Sequence, residues 1–189
     1  MAADSAAARS NMVESQVRIN DVTDVRIHDA MRAIDRAAFA TEGKAYLAYA
    51  DTEIPYAPGR WLLKPRDVAK LLQALRPQPG ERALAIAAPY AAAVLEALGV
   101  AVDRLDDAAL TPAGGGYQIV VSEGAVARTP AAWLGALDRN GRLGAVERDG
   151  PVGKAVLYVS ADDGLGRRPI FDATPPLMAG FEAHHGFAF

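Results

Sequence analysis

The spacing of apolar residues predicts that the N-terminal part of the chain is helical. Between Asn11 and about Phe39, apolar residues recur at three- and four-residue steps, which is the period of a helix that buries one face. A break at Asn20 and Asp21 divides this stretch, and Asp21 is a candidate N-cap for the second helix. The apolar positions of this predicted N-terminal helical extension are Val13, Val17, Val22, Val25, Ile27, Met31 and Ile34.

The pattern changes between Gly43 and Pro65. Two prolines and a glycine lie between Ile54 and Gly59, so a helix is excluded there and a loop lid or an irregular hairpin is favoured. Pro65 is well placed at the first position of a new helix, where its missing N–H is not needed. This helix is predicted to run over residues 66–75, with its apolar stripe facing the core.

Beyond Pro79 and Gly80, short apolar runs alternate with helical segments, which predicts an α/β unit followed by a strand meander. Together they predict a mainly parallel sheet with an antiparallel C-terminal edge. Strands are predicted at Arg82–Ile86, Val100–Leu105, Tyr117–Val121, Arg142–Glu147, Lys154–Ser160 and Arg168–Phe171, helices at Pro89–Leu98 and Ala131–Leu137, a bridge at Asp106–Gly116 and a turn at Asn140-Gly141.

Composition and charge narrow the possible functions. The chain has 189 residues, a formal net charge of −3 and no basic cluster, which argues against a nucleic-acid partner. It has no cysteine, so disulfides and thiolate chemistry are excluded, and no apolar run is long enough for a membrane span. We expect a flexible tail over residues 1–10 that is not a secretory signal, a single domain over residues 11–189, and a cytoplasmic location.

An ordered series of short motifs resembles the protein-L-isoaspartate O-methyltransferases. These enzymes use S-adenosylmethionine to methylate isoaspartyl carboxyls in damaged proteins. The resemblance implies a Rossmann-like methyltransferase fold, a three-layer α/β sandwich. The motifs are Met12–Gln16 with Asp21-Val22, Ala45-Tyr46 with Asp51, Ile54-Pro55 with Gly59, Pro65 with Val68-Ala69, Tyr117–Val121, Asn140–Leu143 and Phe171-Asp172.

The resemblance also implies where a cofactor and a substrate would bind. The cofactor positions fall in the turn after the first strand of the α/β unit and at the ends of the next two strands. The substrate positions fall in the loop of residues 43–65. The implied cofactor positions are Ala87, Ala88, Pro89, Tyr90, Asp106, Ser122 and Glu123, and the implied substrate positions are Tyr46, Asp51, Ile54, Gly59 and Leu63.

The first cofactor motif departs from the family pattern. The family has an acidic residue and a glycine-rich turn there, because glycine lets the backbone approach the ligand. In this chain the acid is replaced by Ala85, no glycine remains, and the turn is about two residues shorter. Pro89 also lacks the N–H that a helix start offers to an anion. We therefore expect no normal S-adenosylmethionine site and no bound cofactor.

Two further departures concern the substrate loop and the sheet edge. Leu63 occupies the position of a family serine beside the transferring methyl group, and leucine forms no side-chain hydrogen bond. The Asp106–Gly116 bridge is too short for the helix, strand and second helix of the family, so we expect that one edge strand is missing. Asp106 matches the family acid that holds the ribose hydroxyls, although a solvated acidic turn also explains it.

The remaining polar motifs each have a functional and a structural interpretation. Ser122-Glu123-Gly124 follows the strongest predicted strand, where α/β sheets bind ligands, but a polar loop is the simpler interpretation. His184-His185 invites a metal hypothesis, although a surface pair is favoured because few ligands lie at suitable spacing. Asp162-Asp163-Gly164 is better explained as a hairpin turn than as a calcium loop. Phe181, Phe187 and Phe189 are a hydrophobic tail or, if exposed, a docking patch.

Three hypotheses of function remain. The first is a non-catalytic relative that acts as a binding or regulatory module, with no catalytic residue or metal assigned. The alternative is an active protein-L-isoaspartate carboxyl methyltransferase that uses S-adenosylmethionine through a rebuilt site. The third is a different ligand or a different activity in the altered crevice near Ser122 and Glu123. An uncovered sheet edge also suggests a protein partner or a homodimer.

Overall fold

The N-terminal segment is helical from its first described residues. The computed structural model describes residues 2–183, and its first helix, α1, spans Ala2–Met12. Residues 2–10 are therefore helical where the sequence predicted a flexible tail. Arg9 links this helix to the next helical segment, because its Nε donates to the carbonyl of Arg32 at 2.7 Å. Its Nη1 also donates to Ser5 Oγ within α1 at 2.9 Å. The chain continues as a π-helical turn at Val13–Val17 and a 3₁₀ turn at Arg18–Asn20.

The second helix begins three residues later than predicted. Helix α2 spans Val25–Ala33, and Asp24 caps it by accepting a hydrogen bond from the N–H of Arg26 at 3.0 Å. The prediction of Asp21 as the cap was wrong. Asp21 has a left-handed φ of 62°, so it ends the preceding helical run instead.

The irregular stretch after α2 contains a small hairpin. Two single 3₁₀ turns at Arg36–Phe39 and Ala45–Leu47 lead into strand β1, Ile54–Ala57, which pairs with strand β2, Arg60–Leu62. Gly59 makes the tight turn possible with a φ of +66°.

A six-stranded sheet forms the centre of the domain. Its strand order is β4-β3-β5-β6-β7-β8, with parallel pairing from β4 to β6 and antiparallel pairing from β6 to β8. The predicted mainly parallel sheet with an antiparallel C-terminal edge is confirmed. The strands are β3 Arg82–Ile86, β4 Ala101–Leu105, β5 Tyr117–Val126, β6 Leu137–Glu147, β7 Lys154–Ala161 and β8 Gly164–Asp172, and the remaining helices are α3 Pro65–Leu75, α4 Pro89–Ala97 and α5 Ala131–Leu134.

Three strands extend well beyond their predicted bounds, and one of them, β8, begins at Gly164 where Arg168 was predicted. Strand β5 continues through Ser122, Glu123 and Gly124, so these residues do not form a polar loop. Strand β6 begins at Leu137 and includes Asn140, whose left-handed φ of 61° bends the strand without ending it. The predicted helix at Ala131–Leu137 therefore shortens to the single turn of α5.

Helical and irregular layers cover the two faces of the sheet. One apolar core joins the N-terminal helices, α3 and α4 to the sheet. The other face is covered by α5, the Asp106–Gly116 bridge and the segment after β8, with Trp133 donating to the carbonyl of Leu110 at 2.8 Å. Strand β4 lies at one edge of the sheet and β8 at the other, and within the Asp106–Gly116 bridge the structure has neither helix nor strand. Among residues 2–183, no helix has the length and apolar character needed to cross a bilayer.

Candidate functional site

A bulge in β5 turns an acidic side chain into the protein interior. Val121 pairs with Gly144 of β6, and the next pair joins Ala125 to Val146, so β5 holds two more residues than β6 in this interval. Gly124 supports the bulge with a φ of +94°. Glu123, between these pairs, is completely buried. A bulge of this kind re-aims a side chain, and here it re-aims a carboxylate.

The carboxylate of Glu123 accepts three hydrogen bonds from backbone N–H groups. Its Oε1 accepts from Leu63 N at 3.2 Å, and its Oε2 accepts from Tyr90 N and from Ala91 N, each at 3.1 Å. The first donor follows β2, and the other two begin helix α4. One buried side chain therefore links the hairpin, the sheet and the helix.

Helix α4 depends on Glu123 because its own sequence supplies no cap. Its N-cap residue is Ala88, which has no side-chain acceptor, and its first helical residue is Pro89. The N–H groups of Tyr90 and Ala91 are therefore orphan donors at a buried helix start. Glu123 satisfies both, and its negative charge suits the positive end of the helix dipole.

Arg36 brings a buried positive charge to the same place. Its side chain is completely buried, and its Nη2 donates a hydrogen bond to the carbonyl of Leu63. The guanidinium carbon lies 4.7 Å from the centroid of the Tyr90 ring. Within residues 2–183, Arg36 Nε and Nη1, Tyr90 Oη and Ser122 Oγ have no hydrogen-bond partner.

Burial controls the ionisation of this group of side chains. It raises the pKa of Glu123 to about 7, although Arg36 and the three backbone donors oppose that rise. Burial also lowers the pKa of Arg36 and raises the pKa of Tyr90. The cost of removing these charges from water outweighs their attraction, which is typical of buried ionic groups.

Five of the implied cofactor positions are buried and form a closed wall, whereas the acidic position, Asp106, is exposed. Water does not reach the side chains of five of them, and Pro89 is half-buried. Asp106 is exposed and accepts a long hydrogen bond of 3.4 Å from Tyr56 Oη. The five buried positions are Ala87, Ala88, Tyr90, Ser122 and Glu123.

The turn after β3 keeps a glycine-like shape without a glycine. Ala87 has a left-handed φ of 47°, a conformation that residues with a Cβ resist. Its N–H donates to the carbonyl of Leu105 at 2.9 Å, which holds the turn against the end of β4. Its methyl group is buried, so the turn leads into packed protein.

The implied substrate positions do not form one surface. Tyr46 is 75% exposed, and Asp51 lies on the surface with an oxygen 3.4 Å from Arg66 Nη1. In contrast, Ile54 and Leu63 are core residues with no exposed area. Gly59 packs against the segment after β8, where an added Cβ would lie 2.6 Å from the Cβ of Ala179.

Arg36 was not predicted from the sequence to be part of this site. Arg36 lies just beyond α2, between Asp35 and Ala37, and no local signal in the sequence marks its burial. Glu123 was identified by its place after an apolar strand, but its inward direction depends on the bulge. An open cleft of about 730 Å³ between α2, α3 and β8 is lined by none of the implied site residues.

The metal and tail hypotheses fall largely outside the described residues. His184, His185, Phe187 and Phe189 lie there, so their predicted behaviour stays a prediction. Phe181 is described and packs against Trp133, with ring centroids 5.5 Å apart. Residues 2–183 contain no group of three or more His, Cys, Asp or Glu side chains able to hold a metal ion.

The sheet order and the site beyond the carboxyl end of β3 define a Rossmann-like methyltransferase fold. The sequence profile of the protein-L-isoaspartate(D-aspartate) O-methyltransferase family (PCMT) matches residues 7–105. The chain belongs to this family. It is 42% identical over 105 residues to a protein-L-isoaspartate O-methyltransferase of Methylorubrum extorquens, a match that covers 54% of this chain and 46% of the relative. The chain spans about half the length of the curated relatives it matches.

Two solved structures share the fold. A protein-L-isoaspartate O-methyltransferase superposes with a TM-score of 0.71 at 16% identity, over 92% of this chain and 67% of its own. A putative protein-L-isoaspartate O-methyltransferase from Plasmodium falciparum, solved with S-adenosyl-L-homocysteine, gives a TM-score of 0.67 at 15% identity, over 90% and 97%. At this level of identity the likeness concerns the fold alone.

Proposed function

We propose that this chain is a non-catalytic member of its family that acts as a binding or regulatory module. The observation that carries the proposal is the closed wall of the implied cofactor site. Ala87, Ala88 and Tyr90 are buried in protein, and the N–H groups that begin α4 are already bound by Glu123. The side chains present do not fit S-adenosylmethionine in this arrangement, because the space and the donors are both taken.

The position of Leu63 supports the same proposal. The resemblance places a serine here, next to the transferred methyl group. The leucine side chain is fully buried in the apolar core and has no hydrogen-bonding group. Methyl transfer to a carboxylate needs an open approach between the acceptor and the sulfonium methyl group. A packed leucine closes that approach.

A binding test with the cofactor and its product separates this proposal from an active enzyme. We expect no change in melting temperature with saturating S-adenosylmethionine or S-adenosylhomocysteine. A ligand at a hundred times its Kd would stabilise the protein by about 2.7 kcal/mol, which raises the Tm of a domain of this size by roughly 5–10 °C. A shift of that order would defeat the proposal and favour a rebuilt cofactor site beside Asp106.

A methylation assay with an isoaspartyl peptide tests the alternative directly. The motivation for that alternative is the retained hairpin with Gly59 and the exposed Tyr46. We expect no transfer of labelled methyl groups above a boiled sample. Methyl ester formation on the isoaspartyl peptide, but not on the matching aspartyl peptide, would establish the enzyme instead.

The outer edge of β4 is the proposed contact for a second copy of the chain in a cytoplasmic setting. Among residues 2–183 no strand lies beside this edge, and an uncovered edge favours pairing. Light scattering at high protein concentration tests this contact. A mass that stays monomeric there would rule out the homodimer and leave only a different protein as partner.

A further inference from the structure

The start of helix α4 has the donors of an anion-binding site. Two successive backbone N–H groups, those of Tyr90 and Ala91, point to one place, and the N–H of Leu63 joins them from the hairpin. Helix α4 spans nine residues, so its dipole adds a favourable potential at this end. All three donors are met by a side chain of the chain itself.

The buried guanidinium of Arg36 is a second feature that favours a negative charge at the start of α4. Arg36 is completely buried beside it and interacts electrostatically with Glu123. Two of its nitrogens, Nε and Nη1, have no hydrogen-bond partner among the described residues. A buried guanidinium with spare donors is costly unless an anion lies near it. Arg36 is therefore not explained by the cap of α4 alone.

We propose that Glu123 is the built-in occupant of a carboxylate-binding site formed by the start of α4, the N–H of Leu63 and Arg36. The inference rests on the closed site of the proposed function and states what closes it. A carboxylate from solution cannot enter the native protein, because Glu123 uses the donors first. Removal of this side chain frees the same site for a small carboxylate.

The size of the ligand follows from the substitution. Glu123→Ala removes Cγ, Cδ and both carboxylate oxygens, which is the set of heavy atoms in acetate. Acetate therefore matches the removed group, formate is smaller, and butyrate is too large. The cavity keeps its donors, so we expect binding to follow charge and size together.

Thermal unfolding in different sodium salts at one ionic strength tests the proposal. We expect Glu123→Ala to melt well below the native protein in chloride. At ten times the Kd of acetate, the Tm of the variant should rise by about 3–5 °C over its value in chloride. Formate should give a smaller rise and butyrate none. An equal Tm of the variant in acetate and chloride would overturn the proposal.

Two controls separate site binding from a general salt effect. The native protein and Glu123→Gln both keep the site filled, so acetate should change their Tm no more than chloride does. A rise in Tm of equal size in all three proteins would mean that acetate acts as a general solvent effect, and it would overturn the proposal. If Glu123→Ala does not fold in chloride, its refolding is tested in acetate. Cooperative unfolding recovered only in acetate supports the proposal, and failure in both salts overturns it.

This experiment contains no cofactor, so its result is separate from that of the proposed function. Binding of S-adenosylmethionine to the native protein would defeat the proposed function and leave the acetate result to stand on its own. An absence of acetate binding would defeat only the assignment of Glu123 as an internal ligand, because the wall residues could still close the pocket by packing.

Discussion

Glu123 accepts a hydrogen bond from the N–H of Leu63 at 3.2 Å, although 60 positions separate the two residues in the chain. The carbonyl of the same Leu63 accepts from Arg36. The peptide groups on both sides of Leu63 are thus fixed by opposite buried charges. This arrangement places a leucine and a glutamate where the family resemblance implies a serine and a cofactor pocket. The Glu123 carboxylate and the Arg36 guanidinium are therefore linked through the N–H and the carbonyl of one residue, Leu63.

The ionisation of Glu123 predicts a pH dependence of stability. Its folded pKa of about 7 lies above the ordinary value of 4.5, so the folded state binds more protons between these values. The stabilisation from the protonated acid is fully present below pH 4.5 and is lost as the pH rises through 7. The difference corresponds to at most about 3 kcal/mol.

Urea unfolding at pH 5 and pH 7.5 measures this effect. Glu123→Gln cannot titrate at this position, so it should lose less unfolding free energy than the native protein between the two pH values. Equal losses in the two proteins would mean that Glu123 keeps one ionisation state over this range. In that case the backbone donors and Arg36 outweigh burial.

A second prediction concerns the energetic coupling of Arg36 and Glu123. At pH 8, Arg36→Met leaves the carboxylate without its buried counter-charge, and we expect a loss of about 3–5 kcal/mol in the free energy of unfolding. Glu123→Gln likewise leaves the Arg36 guanidinium without its buried counter-charge. The double variant removes both charges, so it should be more stable than the sum of the two single losses predicts.

A double-mutant cycle at pH 8 gives the coupling. We expect a coupling energy of about 1–3 kcal/mol at pH 8 and a smaller one at pH 5, where Glu123 is neutral. Additive losses at both pH values would show that the two charges do not interact.

A third prediction tests whether a serine at the family position restores chemistry. Leu63 is fully buried, so Leu63→Ser creates a cavity and buries a hydroxyl group. We expect a loss of about 3–5 kcal/mol in stability and no methyl transfer to an isoaspartyl peptide. Leu63→Ala is the matched control, since it makes a similar cavity without a hydroxyl. Activity in the serine variant alone would show that the pocket can still open.

The regular elements of the fold could be predicted from the sequence, whereas much of the site could not. The strands themselves and the mainly parallel sheet could be predicted from apolar runs such as Tyr117–Val121, because a buried parallel strand has a clear pattern in sequence. The cap of α2 was misplaced because several polar residues can cap a helix, and only backbone geometry selects Asp24 over Asp21. Arg36 could not be predicted as a site residue, since its burial depends on contacts with Leu63 and Tyr90 that are distant in sequence.

The direction of Glu123 depends on the glycine that follows it, which leads to a fourth prediction. Gly124 has a φ of +94°, and a Cβ at this position would lie 2.8 Å from Met178 Cγ. Gly124→Ala therefore combines backbone strain with a close contact in the core. We expect a loss of about 2–4 kcal/mol in the free energy of unfolding, together with a weaker cap on α4.

Gly150→Ala is the matched control for this substitution. Gly150 also has a positive φ, of +119°, but a Cβ there would meet no atom within 4 Å. The control should lose only the strain, about 1–2 kcal/mol. Hydrogen exchange of the Tyr90 and Ala91 amides gives the second measurement, because their protection depends on the bonds to Glu123. Faster exchange in Gly124→Ala at matched global stability would tie the bulge to the cap. Unchanged exchange of these amides would mean that Glu123 reaches α4 without the help of Gly124.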